Sequence, residues 1–200
     1  MTHAPVRAIG PLAAALVLTV VCALAALAQP APGPRASAPV LLTSCGQSPG
    51  PAKIAAFLKR STEFDYVALA TVADLGKKPY KTLMIVTGSS LKGMGAAGVE
   101  IADEITRAIS LIADAKKKGI TVIGAHVEGM ARRSQGAAAD DTSDEQSIDA
   151  VCPKSNILLV LKDGDSDGRF TKIAAANKIP MIAFEKYAEL DGLLRTLFGR

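Results

Sequence analysis

The chain has 200 residues, a formal net charge of +4, aromatics at 4% and no Trp. A charge so mild and evenly spread leaves no electrostatic footprint for nucleic acid, and stacking platforms for bases or sugars are scarce. The length suits one domain with a sizeable core behind a short leader.

Residues 1–28 read as a secretory signal peptide. Arg7 is a lone positive charge, residues 11–25 are almost wholly apolar, no acid occurs before Glu63, and Ala26-Leu27-Ala28 is a small-x-small exit. A retained membrane anchor is the competing reading, with an apolar run near the lower limit for spanning. A lipoprotein would need a small residue before Cys22, where Val21 stands. The expectation is an exported protein, periplasmic or secreted after cleavage near Ala28. About 172 residues with a formal charge of +3 then remain. Residues 29–38 are Pro/Ala-rich without periodicity and predict a tether.

From Pro39 to the end, five short and nearly continuous apolar runs appear at 40–42, 83–86, 120–123, 157–161 and 181–184. Strands buried on both faces of a parallel sheet have this pattern. A shorter strand near Tyr66, Val67 and Ala68 suits an edge. Between the runs lie amphipathic segments. Ile54, Phe57 and Leu58 mark the first. Ile101, Ile105, Ala108, Ile109 and Ile112 mark a long one that ends in Lys116, Lys117, Lys118 and Gly119, the cations and glycine expected at a helix C-terminus. Phe170, Ile173, Ala174 and Asn177 mark another, and Leu190, Leu193, Leu194 and Leu197 the last. Alternation of this kind predicts an α/β fold over 39–200: a doubly wound, mostly parallel five-stranded sheet in a flavodoxin-like three-layer sandwich. Ligands of such sheets bind beyond the carboxyl ends of the strands, at the switch point.

The first run is followed by Thr43-Ser44-Cys45-Gly46-Gln47-Ser48-Pro49-Gly50, small residues suited to a turn into a helix whose amides could hold an anion. A phosphatase-type loop on Cys45 would need Arg at position 51, where Pro51 stands. Beyond the strand at 83–86 come Gly88, Ser89, Ser90, Lys92, Gly93, Gly95 and Gly98. The formal G-x-G-x-x-G starts too far past the strand for a dinucleotide fingerprint and has no acid at the next strand tip. A flexible loop offering amides, serines and Lys92 to a small carboxylate or phosphate fits better, beside the plain reading of a linker that lets the next helix pack closely.

His126, Glu128, Arg132 and Arg133 follow the strand at 120–123 and form the best ionisable constellation in the chain. Arg forks recognise carboxylates, and His126 is the only histidine after the leader, a proton carrier, a metal ligand or a structural residue. No G-x-S-x-G elbow supplies a serine for a triad through it. Residues 134–145 are small, polar and acidic, a lid or a disordered stretch. Asp163, Asp165, Asp167 and Gly168 spell the opening of a calcium loop, but Ala174 occupies the twelfth position where a bidentate acid belongs. Otherwise these aspartates make a turn and a helix cap. The fold places Cys45 and Cys152 near opposite ends of the sheet, which speaks against a disulfide between them.

Several segments together resemble an uncharacterised family of exported bacterial proteins known only as a domain of unknown function with a Rossmann-like or flavodoxin-like fold. The segments are Pro39-Val40-Leu41-Leu42-Thr43-Ser44 with Gly46-Gln47-Ser48, then Tyr80-Lys81-Thr82-Leu83, and Ser90 through Gly98. Gly124-Ala125-His126-Val127-Glu128-Gly129-Met130-Ala131-Arg132-Arg133 and Asp167-Gly168-Arg169-Phe170-Thr171-Lys172-Ile173 complete the match. The resemblance implies fold and export but no activity. It also implies small residues at the Cys45 and Cys152 positions, so that neither thiol belongs to a shared mechanism.

The leading functional expectation is a non-enzymatic binding module for a small anionic solute, serving a membrane transporter. Its site would be Ser44, Gly46, Gln47, Ser48, Gly88, Ser89, Ser90, Lys92, Gly93, His126, Glu128, Arg132 and Arg133. No cofactor is expected; calcium at Asp163, Asp165 and Asp167 is the one candidate. The alternative is a small hydrolase or transferase with His126 and Glu128 as acid and base. A purely structural partner-binding domain is the third reading.

Overall fold

A computed structural model describes residues 33–134 and 141–199. The expected leader and the first four residues of the tether, with part of the acidic stretch after Ser134, lie outside these. Pro34–Arg200 forms one compact unit. Its chain engages the domain earlier than the tether reading allowed. The Ala36 amide donates to the Leu197 carbonyl at 2.9 Å and the Ser37 amide to Thr82 Oγ1 at 3.3 Å.

Six strands, all parallel, lie in the order β2-β1-β3-β4-β5-β6. They are β1 (Val40–Cys45), β2 (Phe64–Tyr66), β3 (Thr82–Thr87), β4 (Thr121–His126), β5 (Ile157–Leu161) and β6 (Met181–Phe184). The count is one above expectation because the edge segment forms a full strand, two residues earlier than its apolar residues suggested. In β2 only one row of hydrogen bonds, to β1, is available, and its residues stay half-buried or exposed. β1 and β3 are buried along their whole length. That explains their unbroken apolar runs: both faces are covered.

Helices α1 (Gly50–Ser61) and α7 (Leu190–Leu197) cover one face. Ile54, Leu58, Leu190 and Leu194 pack there against Leu42, Met84, Ile123 and Leu159. Helices α4 (Ile101–Lys117), α5 (Ser143–Val151) and α6 (Arg169–Asn177) cover the other. Two short helices, α2 (Val72–Leu75) and α3 (Leu91–Ala97), complete the set. The glycine-rich segment after β3 is therefore a helix and not a loop. Ser90 caps it by accepting from the Gly93 amide at 3.1 Å, and Gly98 closes it in the left-handed conformation.

The buried stripe of α4 also differs from its apolar residues. Glu104, Ala108, Leu111, Ile112 and Ala115 face the sheet, while Ile109 is exposed. A carboxylate thus occupies the first turn of the buried face, directly over the end of β1. Reversal of the chain on either side of β1 makes this the switch point.

Candidate functional site

At the switch point the turns after β1 and β3 meet. The Ser90 amide donates to the Gly46 carbonyl at 2.7 Å, and Gln47 bridges Ser89 in antiparallel fashion. The approach is close enough to demand glycine twice. A Cβ on Gly46 (φ +105°) would stand 2.5 Å from the Gly88 carbonyl oxygen, and one on Gly93 would stand 2.2 Å from that of Gln47.

The polar groups collected here are bonded to each other. Glu104, fully buried, accepts from the Gly46 amide at 2.9 Å and from Gln47 Nε2 at 2.8 Å. Its other oxygen takes Arg107 at 2.8 and 3.0 Å. Arg107 then donates to the carbonyls of Ser44 and Ala70 at 2.6 and 3.0 Å. Ser44 Oγ accepts from the Gln47 amide at 2.9 Å, and Ser48 Oγ from the Gly50 amide at 3.3 Å. Glu128 seats its Oε2 on that same Gly50 amide at 2.9 Å, with Lys53 at 3.1 Å from Oε1. The chain's own carboxylates therefore occupy both anion positions that the loop and the α1 N-terminus offer.

The cations are likewise engaged. Arg133, its side chain 2% exposed, is held by Glu145 at 2.6 Å, Asp167 at 2.8 Å and the Gly164 carbonyl. This pairing keeps the Asp167 carboxyl down at about 2. Arg132 donates to the Ser89 carbonyl at 2.8 Å. Lys92 is exposed on α3, apart from these. Sequence reasoning missed Glu104 and Arg107; a charged pair three apart on the inward face of a long helix was the available signal.

His126 cannot work as an acid or base toward solvent. Its ring is fully buried and stacked 4.9 Å from Phe170. A carbonyl can only accept, so the 3.0 Å contact with the Gly129 oxygen places the ring proton on Nε2. Burial, more than any charge nearby, lowers its pKa and keeps it neutral. The three aspartates of the calcium candidate serve separate partners. Asp163 accepts from the Met130 amide at 2.8 Å, Asp165 from Phe170 and Thr171 at the start of α6, and Asp167 from Arg133. Among the described residues no group of three His, Cys, Asp or Glu side chains is placed to hold a metal.

Cys45 and Cys152 are free and buried. Burial foremost, with Glu104 next, pushes the Cys45 thiol up to about 12, and burial raises Cys152 as well.

The open part of the rim lies one step away, where α5 begins beside the Gly88-Ser89 turn. Ser147 Oγ accepts from the Gly88 amide at 3.0 Å, and Asp144 from the Ser89 amide at 2.5 Å. Ser143 Oγ stands 2.8 Å from Ser89 Oγ and 2.7 Å from Asp141 Oδ1. The ionised carboxylate only accepts, so Ser143 donates to Asp141 and Ser89 donates to Ser143. Asp141 and Ser143 wall a cleft of about 430 Å³ that continues along α3 and the start of α4, within the usual size of a small-molecule site. The Ser143 hydroxyl and then its amide lower the Asp141 pKa. Burial raises that of Asp144, against the opposing pull of Ser89 and Arg132.

Fold and rim together define an α/β three-layer protein with a cleft at the carboxyl edge of a parallel sheet. The chain belongs to the family described as a domain of unknown function, DUF6305, whose model matches residues 37–198. No curated protein matches it. Among solved structures it is similar to a GDSL-like lipase from Bacteroides thetaiotaomicron VPI-5482, at 16% identity, 83% of this chain, 76% of that chain and a TM-score of 0.36. TesA is similar at 13% identity, 79% and 95% coverage and a TM-score of 0.34. So is the psychrotrophic esterase EstA from a Pseudoalteromonas species, at 8% identity, 78% and 91% coverage and 0.31.

The expectation of a non-enzymatic module for a small anion is corrected at this point. Within this chain the physical reason is plain: Glu104 and Glu128 fill the proposed anion positions, and Arg133 is neutralised by Glu145 and Asp167. Among the described residues no helix is long and apolar enough to cross a membrane.

Proposed function

We propose that the protein is a small hydrolase working at the cleft beside α5, with Ser143 and Asp141 at its centre. The observation that carries this is the Ser143 hydroxyl, on the cleft wall and donating to Asp141 at 2.7 Å. A hydroxyl already bonded to a proton acceptor is the arrangement an attacking oxygen needs. Asp141 takes the proton as Ser143 Oγ, or a water beside it, adds to the substrate carbonyl. Asp144, whose raised pKa keeps it protonated further up the pH scale, gives a proton to the leaving group, and a water then attacks the acyl-Ser143, its proton passing to Asp144 while Asp141 returns its own to Ser143 Oγ. Two carboxylates shifted in opposite directions are the division of labour that acid-base chemistry requires. This replaces the His126 and Glu128 assignment, whose groups are respectively buried and bound to the α1 N-terminus.

Arg7, the apolar run after it and the Ala26-Leu27-Ala28 exit support work outside the cytoplasm after export. A panel of chromogenic esters, amides and phosphates tests the hydrolytic reading. At least one ester or amide should turn over, and Ser143→Ala should lower that rate at least a hundredfold. Turnover of no substrate class, or an unimpaired Ser143→Ala enzyme, refutes the assignment.

A further inference from the structure

The cleft lining combines apolar and acidic side chains. Leu91 is 70% exposed, the most exposed large hydrophobic side chain among the described residues. It lines the cleft with Met94, Val99 and Ile101, and among the described residues Glu100 and Asp141 supply the only charges on the lining. Among the described residues no Lys or Arg lines it. Ser90 caps α3 and fixes its first turn, so Leu91 is held at the mouth by a defined helix rather than a wandering loop. Covering that side chain with an apolar group removes both surfaces from water and is favourable.

From this juxtaposition of apolar lining residues with a purely acidic set of charges, we infer that the site takes uncharged or cationic esters or amides bearing a short apolar arm. The arm lies on Leu91, Met94, Val99 and Ile101, and the scissile bond lies toward Ser143. An anionic substrate would meet Glu100 and Asp141 with no cation among the described lining residues to offset them. The volume of about 430 Å³ limits the arm to a small group. This inference rests on the hydrolytic reading for the words ester and amide, but its binding preference is measurable without turnover.

Calorimetric titration of the purified protein with hexanamide, hexylammonium and hexanoate, and with butanamide and octanamide, tests it. Hexanamide and hexylammonium should bind at least tenfold more tightly than hexanoate. Affinity along the amide series should rise roughly fourfold per added methylene until the cleft is full. Leu91→Ser, at an exposed position that folding does not depend on, should flatten that series. Asp141→Asn should narrow the gap to hexanoate. Equal binding of hexanoate, no dependence on chain length, or no binding at all would overturn the inference. Selective binding without turnover of any ester or amide supports the pocket assignment and removes the hydrolase reading. Turnover indifferent to charge and chain length removes the pocket assignment alone.

Discussion

Glu104→Ala is the perturbation that bears most directly on how the switch point is built. The side chain is fully buried and serves four donors: the Gly46 amide, Gln47 Nε2, and two nitrogens of Arg107. Truncation strands the Arg107 guanidinium, whose side chain is 14% exposed. Breaking a buried ion pair from one side costs about 3–5 kcal/mol, since the remaining charge keeps its desolvation penalty without its partner. For a domain of this size each kcal/mol lowers Tm by roughly 2–4 °C, so the loss should be about 6–20 °C. Urea denaturation followed by circular dichroism gives the free energy. Glu104→Ala with Arg107→Ala should cost clearly less than the sum of the two single variants. A loss below about 1 kcal/mol for Glu104→Ala, or simple additivity, would refute the view that this pair organises the turn.

Two glycines on α3 separate close packing from helix propensity. Gly93→Ala should destabilise by about 1–3 kcal/mol, because its Cβ would meet the Gln47 carbonyl oxygen at 2.2 Å. Gly95→Ala, with nothing within 4 Å of the added Cβ, should stabilise by about 0.5–1 kcal/mol in the same melts. His126 predicts a pH dependence with a definite sign. Its folded pKa lies below the ordinary 6.5, so the unfolded chain binds the extra proton, and stability complete above 6.5 declines as the pH falls through that value toward the lower folded one. His126→Gln should flatten that part of the stability curve measured from pH 7.5 down to 5; an unchanged slope would mean the ring is not buried neutral. Both thiols should resist a disulfide reagent at pH 8 in the native protein and react at once in denaturant, because burial suppresses the thiolates. Rapid native labelling would contradict that burial.

The parallel sheet was legible because β1, β3, β4 and β5 are covered on both faces, which leaves a continuous apolar run in each. The edge strand β2 was harder, since partial exposure lets Asp65 sit within it. Helix α3 was hidden by Gly93 and Gly95 within it and Gly98 at its end; its Ser90 cap was visible, but glycine propensity argued for a loop. The site failed for a different reason. Sequence shows which amides and cations gather at the rim but not which acids of the same chain reach them. Gly46 meets Glu104 across 58 positions, and Gly50 meets Glu128 across 78. Only the packing of α4 and the turn after β4 brings those carboxylates in. Ser143 and Asp141 lay in a stretch whose composition marked it as loop, with nothing in its pattern to pair it with Ser89.

A pH-rate profile of kcat/KM for a neutral short-chain ester, on wild type and Asp144→Asn, tests the proposed chemistry most directly. The account predicts that the wild-type rate falls as the pH rises through the raised Asp144 pKa, and that Asp144→Asn loses both most of the rate and that alkaline limb. A wild-type rate that climbs steadily with pH, or an Asp144→Asn profile superimposable on it, would contradict the account.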